Sequence, residues 1–102
     1  MVYTLKLLPI VHSDLRKAKN WYSKEAGSLG EEFKKAVNKE IEYLERYPQH
    51  FQRRYKELRF ALVTAFPYAI FYIIKEEDKV VILLGVLHTK RNPDFIRKRM
   101  PK

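Results

Sequence analysis

The chain is 102 residues long and carries 21 Lys and Arg against 12 Asp and Glu, a formal charge of +9 at neutral pH. Hydrophobic residues make up 46% of it and aromatic residues 14%. That excludes a disordered chain and fits one domain over residues 1–102, with a core burying about 65% of the unfolded surface. The absence of cysteine excludes disulfide frameworks, zinc–thiolate sites and cysteine nucleophiles.

Val2 to Leu8 is rich in β-forming residues and stops at Pro9, so it reads as a short first strand. The N-terminus lacks the basic and long apolar regions of a signal peptide, and no apolar run reaches membrane-spanning length. The expectation is a soluble cytoplasmic protein. Val11, Leu15, Ala18, Tyr22 and Ala26 then recur at helical spacing, with Asp14, Arg16, Lys17, Lys19 and Lys24 assigned to the solvated side. Gly27 is expected to end this helix in a left-handed conformation. Ser28 and Glu31 have capping-box spacing for a second helix, whose stripe is Phe33, Val37, Ile41 and Leu44 and whose end is Pro48. Joined by so short a loop, the two helices should form an antiparallel hairpin.

From Arg54 onwards the pattern is that of a strand, with Leu58, Phe60 and Leu62 on one side and Arg59, Ala61 and Val63 on the other. Thr64 to Pro67 is a connection. Tyr68 to Lys75 and Val80 to Thr89 then form a hairpin over the charged turn Glu76 to Lys79, and Asp94 to Met100 have room for one helical turn. The expected class is α+β in the order β-α-α-β-β-β: a helix hairpin on one face of a four-stranded, mainly antiparallel sheet. Both rows of the hairpin are apolar, Tyr68/Ile70/Tyr72/Ile74 and Ala69/Phe71/Ile73, yet two helices cover only one face. Either a partner covers the other row, or loops or the C-terminal segment fold over it.

The charge is polarised. Glu31 to Glu45 is acidic on balance, whereas Arg53 to Arg59 and Lys90 to Lys102, which includes the basic C-terminal segment 93–102, are strongly basic, which favours a binding face for a polyanion or an acidic partner. His88, Arg59 and Arg91 are candidates for acid–base and phosphate chemistry, of the kind that cleaves RNA. The structural alternative is a surface histidine among solvated cations. The tyrosines of the hairpin could stack on bases or simply be half-buried strand residues. No histidine pair has metal-ligand spacing, and neither a metal nor a cofactor is expected.

Taken together, Asn20-Trp21-Tyr22, Leu29-Gly30-Glu31-Glu32-Phe33, Tyr47-Pro48, Arg59, Phe66 to Tyr72 and Val86 to Pro93 resemble the RelE/ParE superfamily of toxins. These belong to bacterial type II toxin–antitoxin, or plasmid stabilisation, systems. The resemblance spans nearly the whole chain and implies the same two-helix, antiparallel-sheet fold. It also implies a growth-inhibiting toxin, neutralised by a cognate antitoxin in a complex that reaches a heterotetramer or higher. Tyr68, Ile70, Tyr72, Val81, Leu83 and Leu87 are the expected antitoxin-binding row. RelE-like members cut mRNA on the ribosome, and ParE-like members inhibit DNA gyrase. Against the RelE pattern, Ala69 stands at an arginine position, Tyr55 and Glu57 stand at lysine positions, and Phe95 or no aromatic replaces a tyrosine. The resemblance is therefore to ParE-like, non-enzymatic members. Arg53, Arg54, Arg59, Lys90, Arg91, Arg97, Lys98 and Arg99 form the expected target-binding surface. A ribosome-dependent nuclease using Arg59, His88 and Arg91 is the alternative, and a non-toxic partner-binding relative is a third reading.

Overall fold

Pro9 ends the first strand and begins the first helix, and that one turn sets the layout. The structure is a computed structural model and describes residues 2–92 and 94–100. Strand β1 (Thr4–Leu7) runs parallel to β5 (Val80–His88), paired from Thr4↔Val80 to Leu7↔Leu83. Pro9 then occupies the first turn of α1 (Pro9–Glu25), where its missing N–H costs nothing. Helix α2 (Leu29–Arg46) follows, and Pro48 opens a 3-10 turn to His50. The close approach of α1 and α2 depends on Gly30: a Cβ there would lie 2.8 Å from the Lys19 carbonyl oxygen and nearer still to Ser23 Oγ.

The helix ends differ from expectation. Ala26 leaves α1 in an extended conformation, and Gly27 does not have a positive φ. Ser28 is helical and caps nothing with its hydroxyl. Glu31 instead pairs with Lys19 at 3.0 Å, and that hydrogen bond, ahead of the charge itself, holds its carboxyl below the usual range. A capping hydroxyl needs a non-helical backbone at its own residue, and Ser28 is helical.

The sheet has five strands, not four, in the order β1-β5-β4-β3-β2. The expected strand from Arg54 is a hairpin, β2 (Arg53–Tyr55) and β3 (Leu58–Leu62), folded over Lys56 at a φ of 50°. Tyr-Lys-Glu-Leu carries none of the Gly or Asn that ordinarily mark such a turn. Strands β4 (Tyr68–Lys75) and β5 form the long antiparallel hairpin. A bulge at Leu84 breaks its register between Phe71↔Gly85 and Tyr72↔Leu83. That extra residue slips the side-chain alternation. Val81, Leu83 and Val86 therefore face the helices, and Leu84 and Leu87 face the other way.

One core lies between the helices and the sheet: Val11, Ala18, Tyr22, Phe33, Val37 and Leu44 pack on Ala61, Ile70, Tyr72, Val81, Leu83 and Val86. The opposite sheet face carries Leu58, Ile73, Leu84 and Leu87, and the C-terminal segment covers it. Ile96, in the single-turn helix α3 (Asp94–Arg97), is fully buried there, with Met100 beside it. Of the two covers open to the second face, the chain itself supplies one.

An ion pair fastens that segment. Asp14, expected on the solvated side because of its charge, faces inward on α1 and is 9% exposed. Arg99 Nη1 donates to Asp14 Oδ2 at 2.6 Å and to the Leu84 carbonyl oxygen at 3.1 Å. The Val86 N–H donates to the same Oδ2 at 3.1 Å. These bonds occupy the edge of β5 beyond the point where β1 ends. Gly85 permits them, since a Cβ there would meet Arg99 Nη1 at 2.6 Å and Ile96 Cδ1 at 2.8 Å.

Removing one member of a buried, hydrogen-bonded pair strands the other, so Asp14→Ala should cost about 3–5 kcal/mol in urea unfolding. A loss below about 1 kcal/mol, the range of an exposed pair, would contradict this placement. Tyr72 gives a second test. Its hydroxyl donates to the Pro48 carbonyl oxygen at 2.7 Å, and burial pushes its pKa up to about 12 against a small opposing effect of Arg59. The folded state thus keeps a proton that the unfolded chain sheds near pH 10, so stability present below pH 10 falls between about pH 10 and 12. Tyr72→Phe should be less stable at pH 7 and should lose less stability over that alkaline window.

Candidate functional site

A broad concavity lies between α2 and the connection Thr64–Pro67, a groove of about 1090 Å³ lined in part by Leu29, Ala36, Tyr43, Phe51, Phe66 and Pro67. A cluster of rings fixes its wall. Tyr22, Phe33, Phe66 and Tyr68 stack or meet edge to face at centroid distances of 5.0–6.0 Å, tying both helices to the connection. Glu40 also lines the groove, and burial raises its pKa, opposed by His50 and Lys39. Beside the groove, β2 pairs with β3 only through Arg53↔Arg59 and Tyr55↔Leu58. The outer edge of β3 from Ala61 onward has no strand partner among the described residues. The arrangement suits an apolar segment with a strand-forming end.

The row expected to bind a partner lies elsewhere. Ile70, Tyr72, Val81 and Leu83 are fully buried beneath the helices, with Tyr68 packed against them, and Leu87 is buried on the opposite face. Because both rows are apolar, periodicity does not say which one faces α1 and α2.

The expected basic residues stand on β2, on β3, at the end of β5 and in the C-terminal segment. Arg53 is exposed opposite Arg59, and Arg54 stands over the Phe60 ring at 5.0 Å. Arg97 pairs with Asp94 at 3.5 Å and stands over Tyr55 at 4.2 Å, while Lys98 is exposed. Lys90 and Arg91 lie at the far end of β5, with Arg91 over Phe95 at 4.2 Å. Arg99 belongs to the interior. Residues 93, 101 and 102 of the basic segment lie outside the described residues.

The candidate nuclease residues are also apart. Arg59 donates from Nη1 to the carbonyl oxygens of Phe51 at 2.6 Å and Gln49 at 3.3 Å, closing the 3-10 turn. It pairs across β4 with Tyr72, whereas His88 pairs with Tyr68 from the other side. Four residues of strand separate those positions, about 13 Å at ~3.3 Å per residue. Arg59, His88 and Arg91 therefore share no pocket in which one phosphate could meet all three. Among the described residues, no group of three or more His, Cys, Asp or Glu could hold a metal ion, and no helix is long and apolar enough to cross a membrane.

Residues 5–93 match the family described as the ParE toxin of type II toxin–antitoxin systems, parDE. The chain belongs to this toxin family. Among solved structures it is similar to the chromosomal ParDE system of P. aeruginosa, at TM-score 0.74 and 15% identity, covering 85% of this chain and 96% of that one. It is also similar to a variant of the E. coli toxin RelE in the free state, at 0.70 and 16%, over 97% and 94% of the two chains. The archaeal RelE–RelB complex of Pyrococcus horikoshii matches at 0.61 and 19%, over 90% and 100%. These likenesses show a shared fold. Among curated proteins, none matches.

The Arg59 geometry makes a specific claim, because its guanidinium holds backbone carbonyls rather than a ligand. Arg59→Ala should lower stability by about 1–3 kcal/mol, the value of a charged hydrogen bond, as read by thermal or urea unfolding. Full stability in that variant would return Arg59 to the candidate surface residues.

Proposed function

We propose that the protein is a ParE-like toxin that inhibits growth by binding DNA gyrase, and that a cognate antitoxin neutralises it by filling the groove beside α2. The family match over residues 5–93 carries this reading. Two observations support its details. The dispersal of Arg59, His88 and Arg91 favours action by binding over RNA cleavage. The groove and the open outer edge of β3 offer an antitoxin segment both apolar contact and main-chain hydrogen bonds. The intrinsic cover over the second sheet face leaves this groove as the larger uncovered apolar site.

Purified protein added to gyrase should block DNA supercoiling, with ribosome-bound mRNA left intact. Ribosome-associated mRNA fragments with unaltered supercoiling would overturn the gyrase reading in favour of nuclease action. For the groove, Ala36→Glu should weaken capture by the product of an adjacent antitoxin gene at least tenfold, about 1.4 kcal/mol, while gyrase inhibition persists. Undiminished capture would move the antitoxin site elsewhere.

A further inference from the structure

The seam between α1 and α2 carries a cavity of about 280 Å³ on its solvent side. Each helix contributes one turn to it, at positions i, i+1, i+4 and i+5, starting from Leu15 on α1 and from Phe33 on α2. On α2 the inner row, Phe33 and Val37, belongs to the core. Half-buried Leu15 completes this apolar side. The outer rows form the rim: Arg16 with Asn20 on α1, and Lys34 with Asn38 on α2, all four exposed.

Nothing in the lining is acidic. Its polar side chains are Arg16, Lys19, Asn20, Lys34 and Asn38, every one a hydrogen-bond donor. The helices themselves are not short of acid, since α2 carries Glu31, Glu32, Glu40, Glu42 and Glu45, and none of them lines the cavity. Glu31, outside the lining, pairs with Lys19 at 3.0 Å. No ion pair among the described residues engages Arg16 or Lys34. The two asparagines are a second sign. Asparagine is a poor choice inside an exposed helix, because its side chain competes for backbone hydrogen bonds. Here one from each helix comes to the same small cavity.

A guanidinium, an ammonium and two amides beside an apolar wall suit an anionic head on an apolar body. At ~30 Å³ for each water-sized group, the cavity has room for about nine. That is the size of a one-ring acid and well short of a nucleotide or a lipid chain. We infer that this cavity binds a small organic carboxylate with a compact apolar body, its carboxylate between Arg16 and Lys34. An inorganic anion would leave the Leu15 wall uncovered, and a neutral apolar compound would leave both cations unused. The cavity shares no lining residue with the groove beside α2, so the inference stands apart from the gyrase and antitoxin readings.

Benzoate is the probe. Titrated into the intact protein, it should give saturable NMR shifts at the side-chain amides of Asn20 and Asn38, with the Ala36 amide in the other groove unmoved. Arg16→Gln with Lys34→Gln keeps good helix formers at two exposed positions. That double variant should bind benzoate at least tenfold more weakly, with an unchanged circular dichroism spectrum. Absence of saturable shifts, or equal affinity in the double variant, would overturn the proposal. Equal affinity for inorganic phosphate would remove the apolar contact and with it the proposed ligand class. Equal affinity for benzamide would do the same to the charge pairing. Tenfold tighter binding of tetraglutamate would overturn the small acid in favour of an acidic protein partner.

Discussion

The carboxylate of Asp14 holds together parts of the chain that lie 72 and 85 residues away. Strand β1 accompanies β5 only as far as Leu83, because Pro9 turns the chain into a helix. Beyond that point β5 has an edge with unpaired backbone groups, which in a sheet invites foreign strands. Asp14 takes the Val86 N–H and Arg99 takes the Leu84 carbonyl oxygen. Either charge alone would be costly to bury. Together they close the edge and set Ile96 over the second sheet face. The bulge at Leu84 and the missing side chain of Gly85 make room for both.

That closure decides what is left for partners. With helices over one face and the C-terminal segment over the other, the flat of the sheet is largely occupied. Two of the concavities left open lie on either side of the Thr64–Pro67 connection, one along α2 and one at the end of α1. Tyr22 and Pro67 line both, so the ring cluster that secures the connection also separates the two sites. The first is broad and amphipathic and suits a protein segment. The second is small and aromatic, with Lys17 the one lysine or arginine in its lining. Family membership describes a toxin, and the division of its surface lets one site be blocked or mutated without the other.

Much of this was legible in the residues. Helical spacing located both helices, and the long apolar runs with their charged turn located β4 and β5. The second sheet face was read as needing a cover, with the C-terminal segment as one candidate. The errors have physical causes. Asp14 lies three residues after Val11 and four before Ala18, on the apolar stripe itself, but its charge placed it in solvent. Its partner lies 85 residues on, and no local pattern joins them. The Lys56 turn lacks glycine or asparagine, which hid a strand. The bulge at Leu84 shifted Val86 and Leu87 to faces opposite to a strict alternation. Ser28 is itself helical and so cannot cap, and the Glu31 carboxylate goes to a cross-helix lysine whose proximity only the packing reveals.

Asp14 and Arg99 seal the edge of β5 and thereby hold the C-terminal segment on the sheet. Native-state hydrogen exchange of the Val86 amide tests it most directly, because that N–H has no strand partner and depends on Asp14. Protection comparable to the β4–β5 ladder is expected in the wild type, reduced at least tenfold in Arg99→Ala. Exchange of Val86 at the rate of an open loop in the wild type, or full protection in Arg99→Ala, would contradict it.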